Sequence, residues 1–171
     1  METRSTLLAS LERSPQAVGI VRGDGDRLLD VALSPDGRTL ALGDNDGTVT
    51  LWDLERGERL DATITAPSSV FALGFSPDGR YLVTGSDVSG ARNNVVLWDV
   101  ETFREVSGLR TDFSIASLAF VDGGRVLAVS DPGGGISLFH LRRHVSLGEP
   151  WRPHEGFMID AAVSPDRTRV V

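Results

Sequence analysis

Cysteine is absent from this 171-residue chain, and so is lysine: all 17 basic residues are arginine. The first absence removes thiol nucleophiles, disulfides and cysteine-based zinc sites. The second removes Schiff-base chemistry and the lysine of a phosphate-binding loop. Histidine occurs only at 140, 144 and 154, and no pair has the spacing of a helical zinc motif. A Gly-x-Ser-x-Gly elbow is missing too, which leaves a serine nucleophile without its usual setting. The net charge of −7 opposes nucleic acid and anionic membrane, and the basic cluster Arg142-Arg143-His144 with Arg152 is short. We expect no direct nucleic-acid binding, no membrane association, no cofactor and a cytoplasmic location. The apolar run Leu7-Leu8-Ala9 is too short and too closely followed by Glu12 and Arg13 for a signal peptide or a span.

What the chain has in quantity is repetition. Leu33-Ser34-Pro35-Asp36-Gly37-Arg38 returns as Phe75-Ser76-Pro77-Asp78-Gly79-Arg80, as Phe120-Val121-Asp122-Gly123-Gly124-Arg125 and as Val163-Ser164-Pro165-Asp166-Arg167. Equivalent positions lie 42, 45 and 43 residues apart. Each copy reads as four short strands separated by turns in which Pro presets φ and Gly accepts the turn conformation. In the first copy they are Leu29–Leu33, Thr39–Leu42, Thr48–Trp52 and Arg59–Thr65, with period-two alternation clearest in Thr48-Val49-Thr50-Leu51-Trp52. The second copy offers Val70–Phe75, Tyr81–Thr84, Val95–Trp98 and Arg104–Gly108. The third offers Ile115–Phe120, Val126–Val129, Ile136–Phe139 and His144–Leu147. Four-stranded units at a period of about 40 to 45, without long helices, indicate the blades of a propeller.

The third strand of each copy ends in Leu51-Trp52-Asp53, Leu97-Trp98-Asp99 and a degenerate Leu138-Phe139-His140. With the turn motif and the period, these residues resemble the WD-repeat family of β-propellers. The expected fold is all-β: a partial WD-repeat propeller with three four-stranded blades (29–65, 70–110 and 115–148) and the start of a fourth (159–171), within an incomplete propeller spanning 17–171. A short helix or linker end would occupy 1–16. The resemblance makes Trp52, Asp53, Trp98, Asp99, Phe139 and His154 structural repeat residues. His154, in Pro153-His154-Glu155-Gly156, stands where the family places the His of a structural hydrogen-bond network. The first three copies lack that His, although the second keeps Thr84 where the first has Leu42.

Thr3 to Leu11 and Arg22 to Leu29 are similar to the junction between a helical region and the C-terminal propeller of large bacterial STAND-type signal-transduction NTPases, some of them transcriptional regulators. That resemblance implies that 17–22 is a closure-type outer strand borrowed from the N-terminus. All-arginine usage with abundant Ala, Gly, Val and Asp suggests a high-GC bacterial genome. Since propellers close with about four to eight blades, the copies present here are expected to be a fragment of a larger ring, a self-associating unit whose copies close it, or the remnant of a gene.

The acidic turns Asp44-Asn45-Asp46-Gly47 and Asp24-Gly25-Asp26 lack the spacing of a calcium loop and read as turn chemistry. Gly133-Gly134-Gly135 lacks the strand-to-helix setting of a phosphate loop. The loops at one end of the blades are candidates for partner binding: Asp44, Asn45 and Asp46; Arg92 and Asn93 in the long loop 87–94; Asp131; and Trp151 with Arg152 in a proline-flanked connection. Loops on rigid scaffolds carry recognition, and exposed Trp and Arg anchor interfaces. The expected function is a non-catalytic protein- or peptide-binding scaffold, the sensing arm of a larger bacterial signalling or regulatory protein. A propeller hydrolase is the alternative, but the inward first-strand positions that would carry its acids and bases read Leu29, Val70 and Ile115.

Overall fold

The computed structural model describes Val21 and residues 27–88, 92–143 and 145–152. The expected N-terminal helix, nearly all of the closure strand, the start of the fourth blade and His154 lie outside the described residues.

Among the described residues, twelve strands form three antiparallel sheets of four, each a meander in chain order. The first blade comprises β1 (Leu28–Leu33), β2 (Thr39–Asp44), β3 (Thr48–Asp53) and β4 (Glu58–Thr65). In the second are β5 (Val70–Phe75), β6 (Tyr81–Ser86), β7 (Val95–Asp99) and β8 (Glu105–Leu109). The third has β9 (Ser117–Val121), β10 (Val126–Ser130), β11 (Ile136–His140) and the two-residue β12 (Val145–Ser146). Every strand expected in the three blades is present, with ends shifted by no more than two residues.

The repeated turn explains why each first strand stops where it does. Gly37 N–H donates to Ser34 O (2.9 Å) and Gly79 N–H to Ser76 O (2.8 Å), with both glycines at φ +72°. That left-handed conformation is where glycine is favoured. The side chains close a second ring. Ser34 Oγ donates to Asp36 Oδ1 (2.6 Å) and accepts from Thr39 N–H (2.8 Å); Ser76 Oγ donates to Asp78 Oδ1 (2.6 Å) and accepts from Tyr81 N–H (2.9 Å). The third copy has Val121 and Gly123 at these positions and folds otherwise. Asp122–Gly124 forms a 3₁₀ turn, Asp122 takes a φ of +49°, and its carboxylate pairs with Arg125 Nε at 3.2 Å.

The core lies between the sheets. Ala41, Val49, Leu51 and Ile64 of the first blade meet Val70, Leu73, Leu82, Val96 and Trp98 of the second. Ala72, Val83 and Val95 then meet Ile115, Leu118, Leu127 and Val129 of the third. Two glycines set the spacing. A β-carbon built on Gly43 would stand 2.7 Å from Val70 Cγ1, and one on Gly85 would stand 2.6 Å from Ile115 Cγ2. Each glycine is the fifth residue of its blade's second strand, and its missing side chain is the seat into which the next blade's β-branched residue fits. This corrects the placement of Val70 and Ile115 at inward channel positions: both are buried between blades. Ile115 also precedes β9, which begins at Ser117.

Candidate functional site

The β2–β3, β6–β7 and β10–β11 turns share one end of the blades with the connections between consecutive blades. Ala66 N–H donates to Gly47 O (2.8 Å), and Ser69 Oγ donates to Asn45 O (2.5 Å), which ties the first turn to the strand leading into the second blade. Ser86 Oγ reaches Ser68 O at 3.4 Å. The long β6–β7 loop is anchored by a residue the sequence reading passed over. Asn94 is buried: its Nδ2 donates to Thr111 Oγ1 (2.8 Å) and Phe113 O (2.9 Å), while its Oδ1 accepts from Thr111 N–H (2.8 Å). The signal available was the pair Asn93-Asn94 just before an apolar strand, where a side-chain amide can hold a neighbouring connection. Ser114 Oγ completes the tie with Asp87 Oδ1 at 3.3 Å.

The candidate partner-binding residues divide accordingly. Asn45, Asp46 and Arg92 are exposed. Asp44 is fully buried at the end of β2, so its carboxylate is not offered at the surface. Asp131 is buried as well: its Oδ1 accepts Gly133 N–H (2.6 Å) and its Oδ2 lies 3.7 Å from Arg152 Nη2. Arg152 Nη1 also donates to Gly133 O at 3.3 Å. Asn93 lies over Gly108 of the outer strand, where no side chain obstructs it. Trp151 is 56% exposed and rigidly held, with Ile136 N–H donating to Trp151 O (2.7 Å) and Trp151 N–H to Ile136 O (2.8 Å). Antiparallel partners share a sheet face, so its indole stands with Ile136, on the side of the third blade turned away from the second.

Beside the long loop, an open groove of about 600 Å³ runs between the second and third blades. Val88, Phe113, Phe139 and Pro150 supply apolar lining, with Arg110 and Ser146 among its polar residues. That volume is within the range of sites that hold a small ligand or a few peptide residues.

The repeat residues do structural work at the other end of the blades and in the core. Asp53 Oδ1 accepts N–H bonds from Glu55 and Arg56, both at 2.9 Å, and Asp99 Oδ1 accepts from Glu101 (3.1 Å) and Thr102 (2.8 Å). Both close the turn between third and fourth strands. The N–H and hydroxyl of Thr102 hold the Asp99 carboxyl below its ordinary pKa, and the Thr48 N–H does the same for Asp46. In the third blade His140 occupies this position, and its Nδ1 is buried without a hydrogen-bond partner. Trp98 is buried in the core between the first and second blades, Phe139 is half-buried against the core between the second and third, and Trp52 is half-buried. Among the described residues no three His, Asp or Glu side chains are grouped to hold a metal ion, and no helix is long and apolar enough to cross a membrane.

Comparison with known proteins agrees with this architecture. The family of WD domain, G-beta repeats matches residues 16–53 and 59–99. The small ribosomal subunit protein RACK1 of Medicago sativa is 37% identical over 93 residues, covering 54% of this chain and 27% of that protein. Its Schizosaccharomyces pombe counterpart is 39% identical over 83 residues, 48% of this chain and 24% of the relative. A WD repeat-containing protein SL1-17 from Schistosoma mansoni is 29% identical over 121 residues, 69% of this chain and 39% of its own length. The chain thus spans about a quarter of the RACK1 proteins it matches. Among solved structures, the Kuenenia stuttgartiensis hydrazine synthase superposes with a TM-score of 0.75 at 18% identity, over 90% of this chain and 43% of that one, a likeness of fold. Repeated blades, glycine seats, Trp-Asp strand ends and these matches together show the architecture of a WD-repeat β-propeller.

Proposed function

We propose that this chain is a non-catalytic interaction module that binds a protein or peptide at the end of the blades bearing Asn45, Asp46, Arg92 and the groove between the second and third blades. The observation that carries the reading is the pinning of these loops. Bonds from Ser69 to Asn45, from Asn94 to Thr111 and Phe113, and from Ser114 to Asp87 fix each exposed loop to a neighbouring connection. A surface held this way loses little conformational freedom on binding, so more of the contact energy is expressed as affinity. The apolar lining with Arg110 among it suits an extended peptide that brings a hydrophobic side chain and an acceptor. We place the module in a larger bacterial signalling or regulatory protein, in keeping with its N-terminal junction and all-arginine composition.

The test is site-specific photo-crosslinking in cells of the source organism, from position 46 or 92 and, as a control, from position 54 at the opposite end of the blades. A discrete protein adduct from 46 and 92 alone, lost on adding Val88→Glu and Arg110→Ala, is expected. Equal labelling from all three positions, or none, would overturn the reading.

A further inference from the structure

We infer that the groove between the second and third blades is a subsite for an aromatic side chain that carries its own hydrogen-bond donor, the indole of a partner's tryptophan. The inference rests on the peptide-binding reading above and names the residue the peptide places there. Its starting point is Ser137. This residue is 4% exposed and lines the groove, yet among the described residues its hydroxyl has no hydrogen-bond partner. A hydroxyl sunk that deep ordinarily has one.

The other copies show what stands beside such a hydroxyl. In the second blade Thr84 and Val96 face each other across β6 and β7, and Trp98, two residues on, donates its indole N–H to Thr84 Oγ1 at 3.0 Å. In the first blade the facing pair is Leu42 and Thr50, Trp52 follows, and Thr50 is buried with a partner. The third blade pairs Val129 with Ser137, so the hydroxyl is kept on β11, but the next residue on that face is Phe139, a ring without a donor. Each copy thus has one hydroxyl on this pair, and the third alone lacks the indole. The cover is reduced at the same point. Thr63 of β4 stands opposite Thr50 and Gly108 of β8 opposite Val96, whereas β12 pairs only with Phe139 and His140 and the chain returns to β11 only where Trp151 meets Ile136. Among the described residues no outer-strand residue is paired opposite Ser137, and Pro150 instead becomes part of the groove wall. Phe113, Phe139 and Val88 offer ring and aliphatic surface, the Ser137 hydroxyl offers the acceptor, and about 600 Å³ holds an indole with its flanking backbone.

The test is an NMR titration of the full chain with N-acetyltryptophanamide, beside its analogue methylated at the indole nitrogen, following the backbone amides of Phe113, Ser137 and Phe139. Saturable shifts at those amides are expected with the first, and binding weaker by about fivefold or more with the second. Ser137→Ala should erase that difference, and it leaves the chain folded because the hydroxyl it removes holds nothing in the fold. Phe139→Trp, which returns the residue of the other two copies, should fill the groove from within and abolish binding of both amides. No binding, equal binding of the two amides, a preference that survives Ser137→Ala, or undiminished binding to Phe139→Trp would overturn the inference. The peptide reading is judged apart, by the crosslinks. Adducts from positions 46 and 92 without an amide preference sink the subsite alone, whereas a Ser137-dependent preference without adducts upholds the subsite and sinks the proposed partner.

Discussion

Trp98 donates its indole N–H to the hydroxyl of Thr84 across 3.0 Å in the interior of the second blade, joining third strand to second beneath a shell of apolar side chains. The first copy places Leu42 at the threonine position and the third places Val129, so this polar tie is particular to the middle blade.

Thr84→Val keeps the shape and removes the acceptor, leaving the indole N–H buried without a partner. A loss of about 1–3 kcal/mol is expected, read as a lower urea midpoint with an unchanged denaturant slope. Trp98→Phe on top of Thr84→Val should cost less than the two single changes summed, because the orphaned donor is then gone.

The glycine seats can be tested by filling one. Gly85→Ala drives a methyl toward Ile115 and should destabilise by about 1–3 kcal/mol through overpacking. Ile115→Ala alone opens a cavity and costs about 2–5 kcal/mol. Combined, they should fall well short of additivity, since the new methyl enters the space the isoleucine leaves. Additive losses in a thermal-denaturation cycle would show that the two positions do not share a seat.

Acid should loosen the turns before the core. The Ser34 hydroxyl, then the Arg38 N–H, hold the Asp36 carboxyl below its ordinary 3.8, and the Ser76 hydroxyl is the main cause of the same lowering at Asp78. A carboxyl depressed in the folded chain contributes stability above its unfolded pKa, and that contribution is lost as pH falls through the folded value. Stability should therefore be level above about pH 5 and decline below 3.8. Asp36→Asn with Asp78→Asn should flatten that decline; an equally steep decline in the double variant would assign it elsewhere.

His140→Asp is a stabilising change. It should give the third blade the turn-closing carboxylate that Asp53 and Asp99 supply in the first two, and it removes a buried, unpartnered ring nitrogen. A gain of about 0.5–1.5 kcal/mol is expected, measured as a higher midpoint of thermal unfolding.

The strands were legible because turn, period and alternation agree in every copy. Leu51-Trp52-Asp53 and Leu97-Trp98-Asp99 ended strands as read. What the pattern left out depends on geometry between copies. Gly43 and Gly85 look like ordinary strand glycines until Val70 and Ile115 are seen against them, and Ile115 was therefore counted as strand and channel. Within the candidate site, the exposed Asn45, Asp46 and Arg92 were legible as loop residues. Asp44 and Asp131 resemble them in sequence yet are buried, and the Asp131 carboxylate accepts the Gly133 N–H, showing that an acidic side chain at a turn is as readily consumed by its own backbone as offered to a partner. Asn94 escaped notice because its three bonds reach residues 17 and 19 positions away.

The glycine seats also impose a direction on assembly. Gly43 precedes Val70 in the chain and Gly85 precedes Ile115, so on the ribosome each socket is synthesised before the knob that fills it. A nascent blade emerging from the exit tunnel meets a finished surface instead of waiting for one, and folding can advance from the N-terminal side as a template-guided addition. A bulky residue at either glycine would therefore do its damage as a stalled step during synthesis, ahead of any weakening of the completed protein.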